Sequence, residues 1–163
     1  MKKLLLLMAC GILVGCEYTV PLVKTPSMNT DPALVGLWQR TKPDGQVESL
    51  VVLPLGAQEY LVSFPAGSKD SMFARACLCR VAERTLMQLE WIGNGRGKTV
   101  EDGRAFQFAT YVVTGNTVSI RMLNSSVVSK DVKTSQELAA AIVANKDKPN
   151  LFNEEMIFNK VKE

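Results

Sequence analysis

Four cysteines are the most chemically distinctive residues of this 163-residue chain, which contains no histidine. Histidine is the commonest general base and the commonest metal ligand among side chains. A Ser-His-Asp triad requires it, and no pair of carboxylates in the sequence has a spacing that indicates glycoside hydrolysis. The sequence therefore predicts a protein that is not an enzyme and that uses no metal and no cofactor.

Cys16 stands at the end of a leader that is typical of exported proteins. Lys2 and Lys3 precede an apolar run over residues 4–14. This run is too short to cross a bilayer, because a spanning helix needs about 20 apolar residues. It ends in Leu13-Val14-Gly15-Cys16. That tetrapeptide resembles the lipobox of bacterial lipoproteins, in which an aliphatic residue and two small ones precede a cysteine that takes a diacylglycerol thioether.

The lipobox resemblance implies that the protein is located in the bacterial cell envelope. Residues 1–15 would be a signal peptide, cleaved before Cys16. Two or three acyl chains, palmitate among them, would then anchor the protein stably to a membrane. By similarity to enterobacterial sorting, Glu17 rather than aspartate after the cysteine favours the periplasmic side of the outer membrane over the inner membrane.

Two further cysteines, Cys77 and Cys79, lie two residues apart in a strand-like run, so their side chains share one face. Three interpretations stay open for this pair. The thiols are buried and inert, or they form a strained local disulfide at the limit of bridge geometry, or they take part in metal or redox chemistry.

Composition predicts one domain preceded by a short linker. Residues 16–33 contain three prolines and no helical or alternating pattern, which predicts an extended tether beyond the lipidated cysteine. Residues 34–163 have the size of a single domain with a real core. The formal net charge of +3 includes the two leader lysines, so the mature chain has no charge bias that would indicate nucleic-acid binding.

From Leu34 onward, short apolar alternations are separated by turn residues, as in antiparallel strands. The predicted strands are 34–40, 47–53, 58–64, 72–82, 85–92, 105–113, 117–123 and 156–161. Gly115-Asn116 is a strong hairpin signal, because both residues tolerate positive φ. Thr134-Ser135-Gln136-Glu137 has the form of a capping box and predicts a helix from about Ser135 to Lys146, with Leu138 and Ile142 on its buried stripe.

The layout predicts a mainly β fold, an antiparallel up-and-down barrel or half-barrel of seven or eight strands with one late helix before the last strand. Gly36-Leu37-Trp38, on the first strand, resembles the Gly-x-Trp signature of lipocalins. The resemblance implies that Gly36 lets the chain pass close beneath the barrel and that Trp38 closes that end.

A glycine-rich loop, residues 93–99, separates two of the predicted strands and carries Arg96 and Lys98 at its tip. Its glycine spacing does not fit a phosphate-binding loop, and no helical pattern follows it. We interpret it as a connecting loop whose cationic tip can touch an anionic lipid or glycan.

The predicted function is that of a membrane-anchored module that binds an apolar small ligand or lipid. The alternative is an accessory lipoprotein with a filled barrel that binds another envelope protein. An eight-stranded barrel can do either, because its interior holds one small ligand or is filled by side chains. The residues expected to line a ligand cavity are Trp38, Phe64, Phe73, Trp91, Phe106, Phe108 and Met122.

Overall fold

The structure is a computed structural model that describes residues 18–100 and 103–162. The predicted signal peptide, the lipidation at Cys16 and the sorting role of Glu17 lie outside the described residues.

Eight antiparallel strands form a closed barrel in which each strand pairs with its neighbours in sequence and β1 pairs with β8. The strands are β1 (Gly36–Thr41), β2 (Val47–Pro54), β3 (Tyr60–Phe64), β4 (Met72–Val81), β5 (Arg84–Asn94), β6 (Phe106–Thr114), β7 (Thr117–Met122) and β8 (Met156–Lys160). The helix α1 (Ser135–Ala144) lies between β7 and β8. The predicted fold class is confirmed.

Turn chemistry sets the hairpins. Gly115, at a φ of 58°, and Asn116 connect β6 to β7 as predicted, with Thr114 opposite Thr117. Ala82 and Glu83 adopt positive φ values between β4 and β5, which gives the tight turn that the right-handed twist of a hairpin favours. These two turns lie at the same end of the barrel as the start of β1. We call this end the floor, and the end where β5 finishes and β6 begins the rim.

The barrel interior is an apolar core, the inner core, with side chains from all eight strands. Its fully or nearly fully buried members are Leu34, Trp38, Leu50, Val52, Tyr60, Val62, Ala74, Ala76, Leu78, Met87, Leu89, Trp91, Val118 and Phe158. Tyr111 and Val113 of β6 pack against them. Because strand residues alternate between two faces, this set identifies the inward face of every strand.

The floor is closed by the residues that precede β1. Asp31 caps a short 3-10 turn over Pro32–Leu34, and Leu34 enters the inner core. The indole Nε1 of Trp38 donates to the Leu34 carbonyl at 2.8 Å. Gly36 has a φ of 143°, and a Cβ atom there would come within 2.8 Å of Lys160 Cε. A residue with a side chain would be strained at this positive φ, so glycine is the residue that fits this position.

A second apolar cluster, the outer core, lies outside the barrel wall. Thr134 and Glu137 form the predicted capping box, and α1 places Leu138 and Ile142 against residues of β4, β5 and β6. Its buried members are Tyr18, Cys79, Val81, Leu86, Phe108, Leu123, Val128, Leu138, Ile142, Leu151 and Phe152. The predicted docking of the helix through Leu138 and Ile142 is confirmed.

Residues 18–31, which we call the strap, lie on the barrel instead of standing away from it. Tyr18 is buried and forms an antiparallel bridge with Phe106. The amides of Leu22 and Val23 donate to Gln88 Oε1 at 2.7 and 3.0 Å. The prediction of a free extended tether is therefore corrected for this segment. Its prolines and lack of periodicity indicate an extended chain but do not reveal the partners that hold it.

Candidate functional site

Four of the seven residues expected to line a ligand cavity face the inside of the barrel. Trp38 and Trp91 are buried in the inner core, and Phe64 and Met122 pack against it. The indole of Trp91 donates to Gln107 Oε1 at 2.9 Å, so its polar atom is satisfied within the barrel. Two hollows among the described residues lie outside the barrel. These four side chains fill the interior with each other and their neighbours.

Phe106 and Phe108 face the opposite way, so the prediction that they line the barrel interior is corrected. Phe108 is buried in the outer core, where its ring meets that of Tyr18 edge to face at 5.3 Å. The alternation over residues 105–113 predicts a strand correctly, but both faces of β6 are apolar. The outward face is covered by the strap and by α1, and local sequence does not show this cover.

Phe73 also faces outward. The register between β4 and β5 shifts opposite Phe73 and Ala74, where Ile92 of β5 is the extra residue, but the alternation of β4 itself is unbroken. Met72 and Ala74 pack with the inner core, whereas Phe73 lines an outer hollow. Phe73 therefore faces outward by the ordinary alternation of its strand, and local sequence does not show which of the two apolar faces of β4 is inside.

The rim is closed by an ion pair and a loop. Arg40 Nη2 lies 2.6 Å from Glu48 Oε2, with the two side chains only about a fifth exposed. The guanidinium also lies over the rings of Phe158, at 5.1 Å, and Phe64, at 5.9 Å. Val100, from the β5–β6 connection, packs against the inner core. Arg40 therefore anchors the rim through charge and aromatic contact together.

The floor contains a cluster of titratable groups around Asp31. Tyr111 donates to Asp31 Oδ2 at 3.2 Å, and the hydroxyl of Tyr60 bonds to the amide of Asp31. Burial, with the Asp31 carboxylate nearby, raises the pKa of both phenols above the ordinary value. The two phenols therefore stay neutral, and their hydrogen bonds to Asp31 fix the 3-10 turn across the floor.

Cys77 and Cys79 are free, buried thiols on the outward face of β4. Desolvation raises the pKa of Cys77 to about 11 and that of Cys79 to about 12. Thiolate is the reactive and metal-binding form, so both thiols are inert as they stand. No three histidine, cysteine, aspartate or glutamate side chains within residues 18–100 and 103–162 come close enough to hold a metal ion. Among the three interpretations, the geometry matches buried inert thiols.

The strap covers Cys77 and leaves a hollow of about 230 Å³ beside it. Gln88 is the central contact, because its carboxamide also donates to the Val23 carbonyl at 2.9 Å. Arg75 and Glu59 form an ion pair at 2.7 Å in the same lining. The hollow is small, mixed in polarity and roofed by the chain itself, so it belongs to the packing of the strap.

A row of apolar side chains lies uncovered on the outside of the barrel, and we call it the β1–β2 face. Leu37 is directly opposite Val51, and Leu53 is opposite Leu61 of β3. Val161 follows β8 and donates its amide to the Leu37 carbonyl at 2.9 Å. Leu37 is 38% and Leu53 46% exposed. This row carries no charged residue.

A second exposed apolar feature lies at the rim. Leu61, Phe73 and Ile92 line a shallow hollow of about 320 Å³, which we call the β3–β5 hollow, together with Gly93, Asn94, Gly97, Lys98 and Thr99. The glycine-rich loop is held close to this place, since the amide of Gly95 donates to the Ser71 carbonyl at 2.7 Å and Arg96 pairs with Asp70 at 2.6 Å.

No family model, curated protein or solved structure matches this chain. Among the described residues, no helix combines the length and apolar character needed to cross a bilayer.

Proposed function

We propose that the protein is a lipid-anchored envelope lipoprotein that performs no catalysis and whose filled barrel binds an apolar segment of another envelope protein through the β1–β2 face. One observation carries the proposal. The barrel interior is packed with its own side chains and closed at both ends, while an uncharged apolar row stays exposed on the outside.

The filled interior disfavours a carrier of small apolar ligands. Trp38, Tyr60 and Phe158 are almost completely buried across the middle and the floor. A ligand inside the barrel would have to displace such side chains. Protein interiors are packed as densely as organic crystals, so opening a cavity in one costs a large free energy. Binding on the outside requires no such rearrangement.

The β1–β2 face is a part of the wall that neither the strap nor α1 covers. The strap and α1 cover part of the outward faces of β4, β5 and β6 with the outer core, whereas Ile92 and Val112 on those strands stay exposed. Leu37 and Leu53 are exposed, and the partly buried Val51, which pairs with Leu37 and shares a face with Leu53 two residues along β2, joins them into an apolar strip. Apolar area removed from water contributes about 25 cal/mol per Å², so this strip favours a partner with its own apolar strand or helix face.

The membrane anchor is the second part of the proposal, and it is supported by the leader and the lipobox-like Leu13-Val14-Gly15-Cys16. An acylated Cys16 would confine the barrel to the membrane surface, which raises the effective concentration of any partner held on the same surface. A modest apolar contact then suffices for binding. The sulfur of Cys16 is the acceptor, so Cys16→Ser should abolish labelling by a fatty-acid analogue that marks the wild type.

Native mass spectrometry of the mature lipoprotein purified from its own host tests the binding proposal. We expect a co-purifying protein at fixed stoichiometry, lost in Leu53→Asp and retained in Val112→Asp. Val112 is the matched control, because it is an apolar strand residue 62% exposed on the far side of the barrel. An apolar small molecule retained equally by both variants would support the ligand carrier and contradict the proposal.

A further inference from the structure

The position of the strap restricts where the barrel can lie relative to an anchored Cys16. We infer that the rim of the barrel at the β3–β5 hollow rests on the bilayer that holds the anchor. The inference rests on the lipidation of Cys16 in the proposed function, and it adds the face that meets the lipid and the chemistry of the contact.

First, only a short length of chain separates the anchor from the barrel. Cys16 precedes Tyr18 by two residues, so the two Cα atoms are separated by at most ~7 Å. Tyr18 is fixed, because its amide and carbonyl pair with Phe106 at 3.1 and 3.0 Å and its hydroxyl donates to the Val128 carbonyl at 2.8 Å. A diacylglycerol on Cys16 therefore draws this part of the barrel onto the membrane surface.

The second step is the distance from Tyr18 to the β3–β5 hollow. Phe106, the partner of Tyr18, follows Ala105, whose carbonyl accepts from the Trp91 amide at 2.8 Å. Ile92 is the next residue and lines the hollow. Tyr18 and Ile92 are thus about two strand spacings apart, or ~10 Å. The anchor and the hollow share the rim.

The third step is the chemistry of the hollow. Ile92 is 44% exposed, and Phe73 and Leu61 extend the apolar lining. Lys98 lies in the same lining. An apolar centre bordered by a lysine fits the bilayer interface, where apolar side chains reach the acyl boundary and an amine meets a lipid phosphate. The occupant we assign is therefore phospholipid of the anchoring membrane.

Site-specific fluorescence on the lipidated protein tests this contact. Ile92→Cys and Val112→Cys are each labelled with an environment-sensitive dye and reconstituted in vesicles of phosphatidylethanolamine and phosphatidylglycerol containing a spin-labelled quencher lipid. Val112 lies six residues along β6 from Phe106, or ~20 Å toward the floor. Cys77 and Cys79 are buried, and the unsubstituted protein controls for their labelling. We expect a blue shift and several-fold stronger quenching at position 92 than at position 112.

Each other outcome has a defined meaning. Equal or absent quenching at both positions, in protein that floats with the vesicles, overturns the contact but leaves the anchor and the proposed function intact. Protein that fails to float overturns the anchor and the contact together. If the cysteine at position 92 is protected from labelling in intact cells but its dye is not quenched in vesicles, a protein occupies the hollow. This result also overturns the assignment of the hollow to the bilayer.

Discussion

The inner core and the outer core of this protein are both apolar and both well buried, but they are assembled in different ways. The inner core takes side chains from eight strands that pair in sequence order, so hydrogen-bonded hairpins bring its members together. The outer core joins Tyr18 of the strap, Phe108 of β6 and Ile142 of α1, which are distant in sequence. The difference teaches that a barrel wall can carry a core on each side, and that the outward one depends on segments that are not strands.

The largest expected effect comes from placing a charge in the outer core. Ile142 is 1% exposed, so Ile142→Asp would bury an unpaired carboxylate and should cost several kcal/mol of unfolding free energy. Val143→Asp is the matched control on the same helix, since Val143 is 44% exposed, and it should cost a few tenths of a kcal/mol. Chemical denaturation measures both. Equal losses would show that α1 is not part of a core.

The next effect tests whether Phe108 belongs to a packed core or to the wall of a ligand cavity. Phe108 is almost completely buried, and truncating it to alanine should cost about 3–5 kcal/mol, as other core aromatics do. Phe73→Ala, at the partly exposed hollow, should cost less. Denaturation is combined with an apolar dye. A mild Phe108→Ala together with dye binding to the folded wild type would contradict the filled barrel.

A smaller effect should follow from loosening the strap. Gln88→Leu removes the carboxamide that binds Leu22 and Val23, and leaving such groups unpaired costs about 1–3 kcal/mol. The thiol of Cys77 should then react faster with an alkylating reagent, because the strap covers it. Gln58→Leu, which loses one exposed bond to the Ser27 carbonyl, is the control. Unchanged alkylation of Gln88→Leu would show that the strap does not protect the thiol.

Alkaline pH should lower the stability of the folded protein through the two buried thiols on the outward face of β4. The pKa of Cys77 rises from 9.0 to about 11 on folding, and that of Cys79 rises to about 12. At a pH between the unfolded and folded pKa values, the folded state binds more protons than the unfolded state. The contribution of the protonated thiols to stability is therefore fully present below this pH window and is lost as pH rises through it. The melting temperature of wild type should decline more steeply above pH 9.0 than that of the Cys77→Ala/Cys79→Ala variant. Parallel curves would argue against buried thiols.

The smallest effect on stability is expected on the β1–β2 face. Leu53→Asp changes an exposed side chain and should alter the unfolding free energy by about 0.5 kcal/mol or less. The same variant should lose the co-purifying partner, so stability and binding separate at this residue. A large loss of stability would mean that Leu53 supports the fold, and its effect on binding could not then be assigned to contact.

The sequence predicted local structure well because local physics sets it. Alternation placed the strands to within about two residues, consistent with the usual scatter at element ends. Gly115-Asn116 indicated its hairpin through its tolerance of positive φ, and Thr134 with Glu137 indicated the start of α1 through reciprocal capping bonds. Seven or eight sequential strands also favoured closure, because an open sheet leaves edges.

The sequence did not determine which apolar residues share a core. Phe106 and Phe108 alternate as well as any pair in the chain, but alternation does not say which face is inside when both faces are covered. Phe73 faces outward by regular alternation with Met72 and Ala74, which pack with the inner core, and local sequence does not show which face of β4 is inside. The strap has no periodic pattern that would indicate its partners. Its bonds to Gln88 and Phe106 join residues more than sixty positions apart in the chain.

The sequence by itself therefore determined the elements, their order and the glycine at position 36, and it predicts a leader that ends in Cys16. Each depends on a residue and its near neighbours: steric freedom, capping, alternation or a short motif. Tertiary structure alone decided that the barrel is filled, that the strap lies on its wall, and that Leu37 and Leu53 stay bare. Those outcomes depend on which segments distant in the chain pack against each other, because that packing decides which apolar surfaces are buried.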